Sequence, residues 1–352
     1  MNADMAHTRP PRGVMIVEDS AVVRALLTHI VHGDPRLAMT AAVATAEEAI
    51  ALLPTVKPDV ISMDINLPGM DGLAATREIM ATQPTPIVVI SASIDRNQVQ
   101  PTMDALRAGA LSVVEKPVGL NHGDYATVAQ EVCTQLAIMS DVRVVRHRMR
   151  GPSEPRPARR PRQRSRMLLC AASTGGPQAL SRLFQNLPRD LSVPILLVQH
   201  MGASFMEGFA DWLRTVVPQP VVLASAGMQP VAGTIHVAPG DRHLLVRGDG
   251  TIGIADTPPV GGQRPAATRL IETAADSLSG AATAVILTGM GEDGAVGVRR
   301  LIEMGGCAVA EDASSAIVNG MPAAAAAMGA LTLPLDLIPA HLRRLFDGSF
   351  AQ

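Results

Sequence analysis

MLLCAASTGGP, residues 167–177, joins an apolar run of strand length to Ser173, Thr174 and two glycines, with Pro177 suited to the first turn of a helix. Strand, glycine turn and helix in that order form the unit from which parallel α/β sheets are built. The turn puts a hydroxyl at the carboxyl end of a strand. The glycines let the backbone bend sharply and let a substrate approach the N–H groups of the helix start, where developing negative charge is favoured. On these residues alone Ser173 reads either as a helix cap or as a nucleophile.

The same alternation runs through the residues upstream. Val14–Val17 leads through Glu18, Asp19 and Ser20 into an amphipathic pattern carried by Val22, Val23, Leu26, Leu27, Ile30 and Val31. Further strands are predicted over Met39–Ala44, Val60–Met63, Ile87–Ile90 and Ser112–Val114, the last three followed by Asp64, Ser91 and Lys116-Pro117. Five strands with intervening helices predict a doubly wound parallel sheet, in which the carboxyl ends of the strands lie together. Those ends present Glu18, Asp19, Asp64, Ser91 and Lys116. Three carboxylates beside one ammonium suit a hard cation such as Mg2+, which takes oxygen ligands. One carboxylate can then attack a phosphoryl donor while the metal and Lys116 neutralise the developing charge.

Composition narrows the function classes. The 352 residues suffice for two or three domains, and 47% hydrophobic with 18% charged residues describes an ordinary soluble protein. A net charge of -2 gives no reason to expect nucleic acid, and 2% aromatic residues leave no stacking platform for single strands. Three dispersed cysteines, Cys133, Cys170 and Cys307, argue against a disulfide framework and a zinc site. No stretch reaches about 18 uninterrupted apolar residues, so the expected location is cytoplasmic and not membrane-embedded.

VEDSAVVR, MDINLPGMDGL, VISAS and VVEKP, over about residues 12–140, resemble the signature segments of response-regulator receiver domains. The resemblance implies a flavodoxin-like fold in which Asp64 accepts a phosphoryl group from a sensor histidine kinase. Glu18, Asp19, Asp64 and the backbone carbonyl of Asn66 would bind Mg2+, and Ser91 and Lys116 would meet the phosphoryl group as switch residues. Val113 stands where many receivers carry an aromatic switch residue.

Between the halves, residues 143–166 hold ten arginines, four prolines and one acid, a composition that cannot bury a core. Residues 141–166 are therefore expected to be a solvated linker.

In the second half, Pro194–Val198 is an apolar strand ending in Gln199-His200-Met201, and Ala284–Leu287 ends in the glycine-rich run Thr288–Gly294. A helix is expected over Gln178–Leu187, a hairpin over His243–Ala255 and another helix over Pro265–Leu278. In one sheet, Ser173, His200 and a carboxylate from Glu292-Asp293 gather at one edge, which a nucleophile, a base and an orienting carboxylate require. Spacing alone leaves Glu292 and Asp293 both possible. His236 and His243, one within an alternating run and one opening the hairpin, read as structural.

STGGP, LLVQHM, HVAPGDRHL and LTGMGEDGAVG, within residues 167–346, resemble the catalytic domain of chemotaxis protein-glutamate methylesterases. The resemblance implies a Rossmann-like three-layer domain with Ser173, His200 and Asp293 as catalytic residues, Thr174 and Met290 as neighbours, and the Met290 N–H as an oxyanion donor. It implies hydrolysis of glutamyl methyl esters on chemoreceptors, commonly glutamine deamidation as well, no cofactor for that reaction, and an unphosphorylated receiver that covers the active site. The chain departs from the family over Gly261–Thr268, where Gln263 replaces a histidine and Ala266 a serine, and at Gly202, where proline usually stands. Those departures bear on substrate choice, and they favour the alternative of a phosphorylation-dependent binding module with a weakened hydrolase.

Overall fold

In the computed structural model, residues 10–91, 104–106, 108–117, 122–142 and 164–347 are described. The Arg/Pro-rich segment lies almost wholly outside them. The chain divides near residue 148 into two units, each with its own parallel sheet.

The first unit runs β1 (Arg12–Val17), α1 (Ala21–His32), β2 (Leu37–Val43), α2 (Ala46–Val56), β3 (Val60–Met63), α3 (Gly72–Thr82), β4 (Ile87–Ser91), β5 (Ser112–Glu115) and α4 (His122–Met139). Its strand order is β2-β1-β3-β4-β5, all parallel. β3 and β4 are buried throughout, as expected of strands covered on both faces. Helix starts are set by side chains: Ser20, Thr45 and Asp71 accept from the backbone N–H groups of Val23, Glu48 and Ala74. The chain leaves β1 toward β2 and later returns on β1's other side as β3. The switch point therefore lies between β1 and β3, where the residues after both strands face one crevice.

The second unit holds β6 (Leu168–Ala172), α5 (Gly176–Gln185), β7 (Ile195–Gln199), α6 (Met206–Val216), β8 (Val221–Leu223), β9 (Ile235–Val237), β10 (His243–Val246) and β11 (Ile252–Ala255). It continues with α7 (Ala267–Ser277), β12 (Thr283–Ile286), α8 (Ala295–Glu303), β13 (Cys307–Glu311), α9 (Gly320–Ala327), β14 (Leu331–Leu333) and α10 (Ile338–Asp347). Seven parallel strands are ordered β14-β13-β12-β6-β7-β9-β8, and β10 and β11 form a separate antiparallel hairpin. Alternate strand residues serve opposite faces. Leu169, Ala171, Leu196, Val198, Ala284 and Ile286 join Leu270, Ile271 and Ala274 of α7 in one apolar cluster. The switch point here falls between β6 and β12.

Helix α5 begins two residues before the predicted start, because Gly175 at φ 73° serves as the N-cap with no side-chain bond. Ser173 therefore does not cap the helix. Helix α7 is shorter than predicted at its start, since Pro265 and Ala266 remain outside the helical run. All three cysteines are unpaired. Among the described residues no helix is long and apolar enough to cross a membrane.

Candidate active site and phosphorylation site

At the first switch point, Glu18 and Asp19 follow β1 and Asp64 follows β3, and their oxygens lie within 4.8 Å of one another. Lys116, just past β5, bridges Glu18 Oε2 at 2.9 Å and Asp64 Oδ2 at 2.8 Å. Burial pushes the Glu18 carboxyl above its usual range, against the pull of the Lys116 hydrogen bond. Burial lowers the Lys116 ammonium, but its bonds to Asp64 and Glu18 outweigh this and hold it above its usual value. Asp64 Oδ1 is buried with no hydrogen-bond partner. A buried anionic oxygen is costly unless something positive meets it, so the cluster fits a divalent cation held by oxygen donors. Asn66 lines a cleft beside Asp19, together with Asp71 and Asp104. Ser91 is fully buried at the end of β4, and its carbonyl accepts from the Lys116 N–H at 3.0 Å.

The close approach of α3 to this site requires glycine. A Cβ at Gly72 would lie 2.0 Å from the Asp64 carbonyl oxygen and 2.9 Å from the Ile65 Cα, so backbone would have to move. Gly72→Ala is expected to destabilise this unit by about 1–3 kcal/mol. Thermal denaturation checks this, and an unchanged transition would contradict it.

At the second switch point, Ala172 of β6 pairs with Gln199 of β7, so the next residues on neighbouring strands are Ser173 and His200. Gln199 holds both turns, its Nε2 donating to the carbonyls of Ser173 and His200 at 2.8 Å each. The Ser173 N–H donates to the Thr288 carbonyl at 3.0 Å, tying it to the loop after β12. That loop delivers Asp293, whose Oδ2 lies 2.9 Å from His200 Nε2 with both side chains at most 7% exposed. Glu292 is exposed, so of the two adjacent carboxylates the geometry pairs Asp293 with the histidine.

Asp293 is fixed from its other side. Its Oδ2 and Oδ1 accept from the N–H groups of Ala267 (2.6 Å) and Thr268 (2.9 Å), so it caps α7 from another part of the chain. Burial raises the Asp293 carboxyl, but the hydrogen bond and charge of His200 and the Thr268 N–H outweigh it, leaving it below its ordinary value. On the imidazole, Nε2 faces Asp293 and Nδ1 is buried without a hydrogen-bond partner. Ser173 Oγ thus does not bond to Nδ1 here, as is common before a substrate draws catalytic groups together.

Sequence reasoning passed over Thr288 and Glu311, which brace the turn that carries Ser173. Thr288 Oγ1 donates to the Thr174 carbonyl at 2.9 Å, and the Thr288 N–H donates to Glu311 Oε2 at 2.9 Å. Glu311 ends β13, is 1% exposed, and is pushed above the usual carboxylate range by burial. The apolar strand preceding Glu311 was the available signal, since it places that carboxylate on the same edge as Ser173. Gly289 packs tightly here: a Cβ on it would lie 2.8 Å from the Ser173 Cβ and 2.5 Å from Met321 Sδ. Met290, next in the turn, is exposed.

The departing segment forms a small turn in which Val260 and Gln263 exchange backbone hydrogen bonds. Arg264 anchors it through Asp241 (2.7 Å) and Asp256 (3.1 Å). A cavity of about 390 Å³ lies along the ends of β7, β8 and β9, lined by Ala203, Met206, Leu223, Pro239, Arg242 and Ile254 among others. Ser173, His200 and Asp293 are not part of its lining.

Residues 168–342 match the family described as CheB methylesterase, and residues 14–124 match the response regulator receiver domain. The chain is 51% identical over 345 residues to the protein-glutamate methylesterase/protein-glutamine glutaminase 2 of Paramagnetospirillum magneticum, covering 95% of this chain and 97% of that one. This chain belongs to that family. A Myxococcus xanthus relative, methylesterase/glutaminase 4, is 42% identical over 318 residues, covering 89% of this chain and 90% of its own. Among solved structures, the Thermotoga maritima CheB methylesterase catalytic domain matches with TM-score 0.50 and 32% identity, covering 51% of this chain and 98% of that one. Family membership accounts for both switch-point sites on one chain: a receiver and an ester hydrolase.

Proposed function

We propose that this chain is a phosphorylation-activated protein-glutamate methylesterase and glutaminase, with residues 12–140 as receiver, 141–166 as linker and 167–346 as catalytic domain. The observation that carries the reading is the buried His200–Asp293 pair beside Ser173, with one imidazole nitrogen left free. Asp293 accepts from Nε2, so the proton of the neutral ring sits there and Nδ1 carries the lone pair. Ser173 Oγ attacks the glutamyl ester carbonyl and its proton passes to Nδ1. The oxyanion is met by N–H groups of the turns around Ser173, with the Met290 N–H as one donor. As the ester C–O bond breaks, methoxide takes the proton from Nδ1 and leaves as methanol. Water then gives a proton to Nδ1 and attacks the acyl-enzyme, which frees the glutamate and restores Ser173. With a glutamine substrate the leaving group is ammonia.

In the receiver, Glu18, Asp19, Asp64 and the Asn66 carbonyl would hold Mg2+, which neutralises charge on the incoming phosphoryl group. An Asp64 oxygen forms the bond to phosphorus as the histidine–phosphate bond of a sensor kinase breaks. Lys116 stays paired with the new anion, and the Ser91 hydroxyl meets a phosphoryl oxygen. Chemoreceptors are the substrates, and the protein works in the cytoplasm at receptor assemblies.

Methanol release from methylated receptor membranes is expected to rise at least about five-fold on adding a small phosphoryl donor with Mg2+. Asp64→Asn should abolish the rise and leave the basal rate. Equal rates with and without donor in both proteins would overturn receiver control.

A further inference from the structure

His243 opens the β10–β11 hairpin, is fully buried, and takes no part in the chemistry above. Its ring joins two backbone groups, Nδ1 lying 3.2 Å from the Ala266 nitrogen and Nε2 3.1 Å from the Pro258 carbonyl oxygen. A backbone N–H only donates and a carbonyl only accepts, which fixes the ring as neutral with its proton on Nε2. Ala266 is the N-cap of α7 in extended conformation, and its methyl group supplies no cap. The three successive amides at this helix start are thus met from outside the helix. Ala266 N–H goes to His243 Nδ1, Ala267 N–H to Asp293 Oδ2 and Thr268 N–H to Asp293 Oδ1.

We propose that His243 is a positioning residue for the catalytic pair: by holding the Ala266 amide it sets where the next two amides present themselves to Asp293, and so how Asp293 orients His200. The chain of contacts is short and continuous, running from imidazole through helix start and carboxylate to the second imidazole. Displacements of about 1 Å in such supporting groups cost on the order of 100-fold in rate. The inference rests on the assignment of His200 and Asp293 as catalytic, and one arm of its test addresses that assignment separately.

Two substitutions divide the ring's functions. In His243→Asn the side-chain oxygen falls near the place of Nδ1 and can still accept from Ala266. In His243→Gln the longer amide reaches toward the place of Nε2 and can donate to Pro258, while the Nδ1 acceptor is lost. Steady-state methyl-ester hydrolysis by the full chain, with Asp64 phosphorylated, is expected to show His243→Asn within about three-fold of wild-type kcat. His243→Gln should fall about ten-fold or more in kcat at unchanged KM. Equal losses in both, or retention by Gln with loss in Asn, would overturn the proposal and leave His243 as a hairpin anchor. Should the Gln variant not fold, the Asn variant decides alone, a ten-fold fall contradicting the proposal. Asp293→Asn in the same assay separates the two levels: full activity there would remove the catalytic assignment and the proposal with it.

Discussion

Ser173→Ala should lower kcat for ester hydrolysis by about 10⁵- to 10⁶-fold, with the fold intact. The expectation follows from where Ser173 sits. Its backbone is pinned by the Thr288 carbonyl, and its carbonyl is held by Gln199. Because Gly175 caps α5, the hydroxyl has no structural duty there. Removing Oγ deletes the proposed attacking atom and little else. The N–H groups of the surrounding turns remain, and such groups alone sustain a residual acceleration of about 10³ over water. Circular dichroism and the thermal transition should match wild type within about 0.5 kcal/mol, as for a substitution outside the packed core.

Asp293→Asn should lower kcat by about 10⁴-fold. The carboxylate accepts on both oxygens, from His200 Nε2 and from two helix amides. A carboxamide has one oxygen, so either a helix amide loses its partner or an NH2 faces Nε2. In the second arrangement the ring proton moves to Nδ1, and the base that Ser173 needs is gone. Loss of one buried partner costs about 1–3 kcal/mol of stability. That cost depends on pH with a definite sign. Asp293 lies below its ordinary value of 3.8, so its contribution is complete above that pH and is lost as pH falls through the lower native value. The stability gap between wild type and Asp293→Asn should therefore be widest near neutrality and narrow below about pH 4. A gap that widens in acid would contradict the paired, ionised state of this carboxylate.

Much of this was legible in the residues because of a rule of parallel sheets. Short apolar runs mark the strands, and whatever follows them lies on one edge, so Glu18, Asp64 and Lys116 in one unit and Ser173 and His200 in the other could be grouped before any distance was known. Strand order itself was not legible. Both sheets place their sites where the chain reverses its direction of travel, between β1 and β3 and between β6 and β12, and that reversal appears only once the pairing is seen. Spacing alone did not separate the adjacent carboxylates Glu292 and Asp293; only the family resemblance pointed to Asp293. Glu292 is exposed, whereas Asp293, just before Gly294 at φ 93°, meets the start of α7. His243, expected to be structural, accepts from the Ala266 amide, which directly precedes the two amides that hold Asp293, and such a backbone contact leaves no mark in the residue pattern. Glu311 escaped notice for a related reason: its link to the Ser173 turn runs through a backbone N–H, which no side-chain pattern announces.

Ester hydrolysis is expected to depend on Ser173 and to be controlled by Asp64. The most direct measurement is methanol released from methylated receptor membranes by wild type and Ser173→Ala, side by side, with phosphoryl donor and Mg2+ present. The expected result is steady release by wild type and none above membranes alone for Ser173→Ala. Equal release by the two proteins would rule out Ser173 as the nucleophile.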